Sequence, residues 1–277
     1  MNHLAKVGGL YDRLLGSETE KLAENNLTIH KRLTFPNGEF ADTNDWILNH
    51  LKLPDHAHIL DAGCGVGGTL FALLSTQEGG QEKQPTGIGI TLSQQQVKVA
   101  KQQAARLGLA SRCAFLQHSY DDPLDERFDL IISIEALIHS PELATSIKNL
   151  SQHLKPAGKL LIIEDMAQKG IVGTPITKIW KQSWSIQNIY SQHDYLQALD
   201  TAGLKIAQNI DFTPFVRAKK WPSWLIQLAW AITQKLPVRW RGAKDIFIGG
   251  WALEHLYRHD FVRYRVIIGE RSSCASD

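Results

Sequence analysis

The chain has 277 residues, 43% of them hydrophobic, enough for a large core built as one domain with elaborations. Its 30 Lys and Arg against 28 Asp and Glu leave a formal charge of +2, which gives no general electrostatic case for nucleic-acid binding. Cys64, Cys113 and Cys274 are odd in number and widely spaced, which argues against a disulfide framework and for a reducing, cytoplasmic home. The opening stretch MNHLAKVGGLYDRLLGSETEK has no long apolar core, and no run of about 18 apolar residues follows, so neither secretion nor stable membrane insertion is expected.

Residues 1–50 read as an N-terminal helical cap. Leu10, Leu14 and Leu15 share a helical face, and Trp46, Ile47, Leu48 and Leu51 form a second helical group. The polar, turn-rich stretch NLTIHKRLTFPNGEFADTND separates them. Residues 57–74, AHILDAGCGVGGTLFALL, then organise the rest. A short apolar strand ends on Asp61; Gly63, Gly65, Gly67 and Gly68 form a dense turn; and Leu70, Phe71, Leu73 and Leu74 begin a helix. Such a turn lets backbone amides approach a nucleotide or nucleoside. An acid directly ahead of the glycines suits a ligand bearing a cationic amine better than a pyrophosphate.

Residues 61–68, DAGCGVGG, resemble the first motif of the class I S-adenosylmethionine-dependent methyltransferases. The resemblance implies that Asp61 orders the loop beside the methionine part of the cofactor, and that Gly63, Cys64, Gly65 and Gly67 let the backbone approach it. It also implies that the segment ahead of the glycines folds over the pocket, with Tyr11 and the region around His30 as candidates.

A loop at 79–85 leads to a short strand at 86–90, and a helix follows in which Val97, Ala100, Ala104 and Leu107 repeat at helical spacing behind a Ser93 cap. The run GIGITLSQQQVKVAKQQA resembles the second conserved region of one methyltransferase branch, which holds sterol and tocopherol methyltransferases, sugar O-methyltransferases and cyclopropane synthases. The acid that many such enzymes place at the tip of this strand is replaced by Thr91, with Leu92, Ser93 and Gln95 beyond it. These residues are therefore the expected ribose-side contacts. A third strand follows at 113–116, and the resemblance implies that the loop after it contacts the adenine, which makes Ser119 and Tyr120 the expected adenine-side residues, with His118 and Asp121 beside them.

The fourth strand, 128–133, delivers Ile134, Glu135 and His139 at its carboxyl end. SIEALIHSPEL resembles the equivalent run of the sterol and tocopherol enzymes, and Ile134 and Glu135 join the expected cofactor contacts. In a helical turn the four-residue spacing puts Glu135 and His139 on one face. A sulfonium is already an activated methyl donor, so the protein must align the partners and, for a hydroxyl or acidic carbon, remove a proton. His139 is the natural base, and Glu135 orients it, binds a hydroxyl or stabilises a cation. No third residue completes metal-ligand spacing.

A helix at 141–154 leads to a fifth strand at 159–166, where Glu164 and Asp165 face the substrate side. Two lid segments follow. The first, about 167–192, carries Trp180, Trp184 and Tyr190; the second, about 214–258, carries five tryptophans. Trp224, Leu225, Leu228, Trp230 and Ile232 cover much of one helix, and their expected roles are pocket wall first, dimer contact second and membrane surface third. Tyr264-Arg265 in the last strand is expected to be structural.

The resemblance implies an α/β fold, a Rossmann-like seven-stranded mixed sheet flanked by helices, with a helical Trp-rich insertion before the last strand and a methyltransferase domain over 51–277. It also implies methyl transfer from S-adenosylmethionine to oxygen or carbon of a small, largely apolar or glycosylated metabolite. N-methylation of a small amine and a non-catalytic cofactor-binding or assembly role stand as alternatives, ahead of an NAD- or FAD-linked oxidoreductase. A small-molecule partner and a homodimer are expected; a nucleic-acid partner and a metal are not.

Overall fold

The apolar runs at 59–60, 88–90, 130–132 and 160–163 are buried on both faces of the sheet, as strands must be when helices cover both sides of a parallel sheet. The computed structural model describes residues 3–15, 30–31, 33–75, 84–168, 171, 173–237 and 242–273. Strands β1 (His58–Ala62), β2 (Thr86–Thr91), β3 (Cys113–Gln117), β4 (Phe128–Ile134) and β5 (Leu154–Ala167) are parallel. With β6 (Leu204–Asp211) and the antiparallel β7 (Val262–Arg271), they form a seven-stranded sheet in the order β3-β2-β1-β4-β5-β7-β6. The order reverses between β1 and β4, which opens a crevice at their carboxyl ends.

Alternate residues divide between two cores. Ile59, Leu130, Ile132, Leu161, Ile163, Val266 and Ile268 pack on one face, under α2 (Thr43–His50), α3 (Gly68–Leu74) and α4 (Gln94–Arg106). Leu60, Ile131, Leu160, Ile162 and Ile267 pack on the other, under α5 (Leu143–Gln152) and α7 (Gln192–Thr201). Each such side chain contributes about 1.5–3 kcal/mol on burial. The helices start where short polar side chains accept their free amides: Asp42 caps α2, Ser93 caps α4 as expected, and Ser191 forms a capping box with Asp194 on α7.

Three further helices gather at the carboxyl edge of the sheet. They are α1 (His3–Leu15), α6 (Pro175–Ser183) and α9 (Gly242–Arg258), and α8 (Ser223–Thr233) packs against α6 and α9. Strand β5 begins five residues earlier than the apolar run predicts, because Phe128 already pairs with Leu154 before Lys155-Pro156-Ala157-Gly158 bulges out of register. Helix α5 is shorter than expected, since Pro141 and Glu142 precede its first turn. Much of the loop expected at 79–85, the side chains of Leu14 and Leu15, Cys274, and Arg239-Trp240-Arg241 lie outside the described residues.

Candidate functional site

Strand β1 stops where its backbone must turn beneath a neighbour. The amides of Gly63 and Cys64 both donate to the Ile90 carbonyl, at 2.9 and 3.0 Å, which ties the turn to β2. Gly63, Gly65 and Gly67 have φ of 97°, 54° and 91°, the left-handed region that glycine enters without steric cost. Contact excludes larger residues as well: a Cβ on Gly63 would lie 2.3 Å from the Cβ of Ala136. The Cys64 side chain is buried in the core under this turn, and burial pushes its thiol up.

Asp61 is buried at the tip of β1. Its Oδ2 has no partner among the described residues, and burial pushes the carboxyl up to about 7 against an amide of Leu70 that pulls it down. A desolvated carboxylate with an unmet oxygen, beside a turn clear of side chains, fits the ammonium of an amino-acid-bearing ligand such as S-adenosylmethionine.

The tip of β2 is covered by α1. Thr91 donates to Oε1 of Gln96; Ser93 donates to Oδ1 of Asp12 and accepts from the Gln96 amide at 3.1 Å. The Gln95 amide faces the same Asp12 oxygen at 3.4 Å, while its side chain is exposed. The Leu92 carbonyl accepts from Gln117, and a Cβ on Gly8 would come within 2.9 Å of it. A carboxylate thus stands at the β2 tip after all, supplied by Asp12 of the N-terminal helix. Beyond β3, the Ser119 hydroxyl accepts from the Asp121 amide, and His118 Nε2 is buried with no partner among the described residues. Tyr120 is packed in the second core, its hydroxyl donating to Ala136 at 3.2 Å.

Ile134 ends β4, and the chain then turns by a route that the spacing did not predict. Glu135 sits at φ 52° and residues Leu137–His139 form a 3-10 turn, so Glu135 and His139 do not share an α-helical face. They nonetheless line one cavity of about 310 Å³, together with Tyr11, Lys31, Glu164, Asp165, Trp180, Trp184 and Tyr257.

Lys31 is the hub of that cavity. Its Nζ lies 2.8 Å from Asp165 and 3.2 Å from Glu135, its backbone amide donates to Glu135 at 3.0 Å, and the ammonium stands 4.7 Å from the centroid of the Tyr264 ring. Tyr264 donates to Glu135 at 2.8 Å, and Tyr257 donates to Asp165. Burial opposes the charge on Lys31, but Asp165 and Glu135 outweigh it and hold the ammonium above its ordinary range. Burial likewise pushes Glu135 up, and Lys31 more than reverses this, so Glu135 is held low. Burial prevails at Asp165 and at Glu164, both raised, the latter also by Asp165. Glu164 accepts from the amides of Ile138 and Asp165, at 3.0 Å each.

His139 shares a hydrogen bond with the Tyr11 hydroxyl through Nε2, at 3.0 Å, and its Nδ1 is buried without a partner among the described residues. Desolvation, with the nearby His3, pushes the imidazole down to about 4, against a smaller opposite pull from Glu135. At neutral pH it is therefore a neutral imidazole whose Nδ1 is unpaired among the described residues.

The sequence reading placed Tyr11, Glu135, His139, Glu164 and Asp165 in or near this pocket, and it named the region around His30 without singling out Lys31. It missed Tyr257, and it took Tyr264 as structural although the hydroxyl meets Glu135. No spacing signal could reveal Lys31, which lies 104 residues from its partner Glu135. The expectation that α8 walls the pocket is corrected: the wall comes from Trp180 on α6 and Trp184 at its C-cap and from Gly250, Leu253, Glu254 and Tyr257 on α9, and no residue of α8 lines the cavity.

Comparison with known proteins bears on the family and the fold. The tocopherol O-methyltransferase of Arabidopsis thaliana is 30% identical over 175 residues, covering 60% of this chain and 48% of that protein. The O-methyltransferase cnsE of Penicillium expansum is 30% identical over 162 residues, covering 58% and 56%. The matches thus span about half the length of these relatives. Among solved structures, a geranyl diphosphate C-methyltransferase from Streptomyces coelicolor A3(2), in complex with S-adenosyl-L-homocysteine, superposes with a TM-score of 0.69 at 15% identity, over 98% of each chain. The [4+2]-cyclase SpnF does so with a TM-score of 0.68 at 21% identity, over 97% of this chain and 96% of that one. At such identities the likeness speaks for the fold. The methyltransferase domain family matches residues 53–220, more than half of the sequence, and the chain belongs to that family.

Proposed function

We propose that this protein transfers the methyl group of S-adenosylmethionine to an oxygen or carbon atom of a small, largely apolar metabolite in the cytoplasm. The observation that carries the reading is the unpartnered, buried Nδ1 of a neutral His139 in a cavity next to the glycine turn. Gly63 abuts Ala136, the neighbour of Glu135, so the turn and the cavity adjoin. The fold alone is not decisive, since a cyclase shares it.

Asp61, with Gly63, Cys64, Gly65 and Gly67, holds the amino-acid end of the cofactor. Thr91, Leu92, Ser93 and Gln95, joined by Asp12, form the ribose side; Ser119 and Tyr120 form the adenine side; Ile134 and Glu135 close the crevice toward the acceptor. Bound there, the cofactor supplies an electrophilic methyl group, and the protein has only to orient the acceptor, exclude water and take a proton. His139 accepts that proton at a ring nitrogen, while Glu135, held ionised by Lys31 and Tyr264, orients a hydroxyl or steadies developing positive charge. Trp180, Trp184 and Leu253 supply the apolar area that a small organic acceptor would bury. Relatives named as O-methyltransferases and as sterol C-methyltransferases support oxygen or carbon as the target.

The test is calorimetric titration with S-adenosylhomocysteine, followed by mass spectrometry of metabolite extract incubated with the protein and methyl-labelled S-adenosylmethionine. Micromolar binding and an O- or C-methylated product are expected. Binding without any labelled product would favour a cofactor-binding protein that does not methylate, and a product labelled on nitrogen would overturn the choice of acceptor atom.

A further inference from the structure

The face of α8 that was expected in the pocket points outward. Trp224, Leu228 and Ile232 are 64%, 50% and 55% exposed, and Phe247 on the adjoining α9 is 70% exposed. The first three are spaced by four residues, so they fall within about 80° of arc on one helix face. The opposite side carries Ile226 and Thr233, both buried where α8 packs on α6 and α9. A helix whose inner face rests on its own protein needs no polar face of its own to lie on a surface.

The charge along this stretch of sequence is one-sided, and the carboxylates that meet it in space, Asp245 and Glu254 of α9, are engaged by Gln234 and Trp221. From Val216 to Lys244 the sequence carries seven basic residues, Arg217, Lys219, Lys220, Lys235, Arg239, Arg241 and Lys244, and no acidic one, in a chain of net charge +2. The remainder of the protein is therefore net acidic. Lys219, Lys220, Lys235 and Lys244 are exposed. Four of the eight tryptophans, Trp221, Trp224, Trp230 and Trp240, fall in the same stretch. Large apolar side chains rimmed by lysines match a layer whose surface is anionic and whose interior is hydrocarbon, with tryptophan at the boundary and lysine stems reaching back to phosphate. A second copy of the chain would bring like charges together around the same patch, which opposes a self-interface.

We infer that α8 docks this protein on the surface of an anionic lipid bilayer, with Trp224, Leu228 and Ile232 in the acyl boundary and Lys219, Lys220, Lys235 and Lys244 against lipid phosphates. The attachment is peripheral: among the described residues no helix is long and apolar enough to cross a membrane. It does not depend on the reaction proposed above. It puts the lipid surface beside the two helices, α6 and α9, that wall the cavity.

The experiment is flotation of the full-length protein with vesicles of phosphatidylcholine alone and of phosphatidylcholine mixed with phosphatidylglycerol. The protein is expected to float with the mixed vesicles at low salt, much less with phosphatidylcholine alone, and to be released by high salt. Trp224→Glu/Leu228→Glu/Ile232→Glu should stay in solution with unchanged circular dichroism and melting. Lys219→Gln/Lys220→Gln, which leaves the apolar face intact, should weaken partitioning by about fivefold per lysine. No flotation with anionic vesicles at low salt would overturn the inference, as would a triple variant that floats like the parent. A wild-type dimer in analytical ultracentrifugation that the triple variant converts to monomer would assign the face to a second copy instead.

Discussion

Replacing Asp61 by Asn is expected to stabilise the protein and to damage its cofactor site in the same step. An aspartate ionises near 3.9 in an unfolded chain, whereas burial holds Asp61 at about 7 in the folded one. Between those values the folded state keeps a proton that the unfolded state has released. Stability therefore falls as pH rises through this window and stays lower above it, by about 4 kcal/mol at about 1.36 kcal/mol per pH unit. The carboxyl is fully buried, so solvent screening does not reduce the figure. Asn removes the ionisation but leaves an amide partly unpaired, so a gain of about 2–4 kcal/mol at pH 8 is expected on chemical denaturation of the ligand-free protein. Binding moves the other way. Losing the partner of a buried ammonium costs about 2–4 kcal/mol, or about 30- to 1,000-fold in the Kd for S-adenosylhomocysteine by calorimetry. In the parent protein affinity should rise between pH 6 and 8 as Asp61 ionises, and the variant should lose that dependence. A variant less stable than the parent at pH 8, or one that binds S-adenosylhomocysteine equally well, would refute the assignment of Asp61 as a cation-binding carboxylate.

Three further predictions concern the cavity. His139→Ala should lower turnover by about 100-fold with S-adenosylhomocysteine affinity unchanged; near-normal turnover would make the imidazole a packing group. Because His139 is held down to about 4, it is an unprotonated base throughout the neutral range, so at saturating cofactor, where the Asp61 ionisation no longer limits binding, the parent's turnover should lose this base only as pH falls toward that value, with no inflection near 6.5. Lys31→Met leaves Glu135 and Asp165 buried without their cation and should cost about 3–5 kcal/mol of stability, read by denaturant titration. An unchanged midpoint would show that the ion-pair cluster contributes nothing to holding residues 30–31 over the site.

Local sequence determined most of the sheet. The β1 strand, its glycine turn and the Ser93 cap are set by contacts within a few residues, where an acid, a run of glycines or a capping hydroxyl has one favourable geometry. Apolar runs likewise fixed β2, β4 and much of β5, since only strands buried on both faces bear them. The seven-stranded fold and the family were legible through the family resemblance that the motifs on those pieces carry. Tertiary structure alone decided which distant side chains meet. Lys31, Tyr257 and Tyr264 converge on Glu135 and Asp165 from three separate parts of the chain, and a lone Lys or Tyr carries no periodic signal of its partner. Asp12 reaches the β2 tip only because α1 folds across it. The spacing of Glu135 and His139 puts them on one face only in a helical turn, but Glu135 takes a left-handed backbone angle there, and Lys31 and Tyr264 hold its carboxylate. The tryptophans divide for the same reason: apolar spacing shows that a helix has a face to cover, and only packing shows that α6 turns its face to the cavity while α8 turns Trp224, Leu228 and Ile232 to the outside.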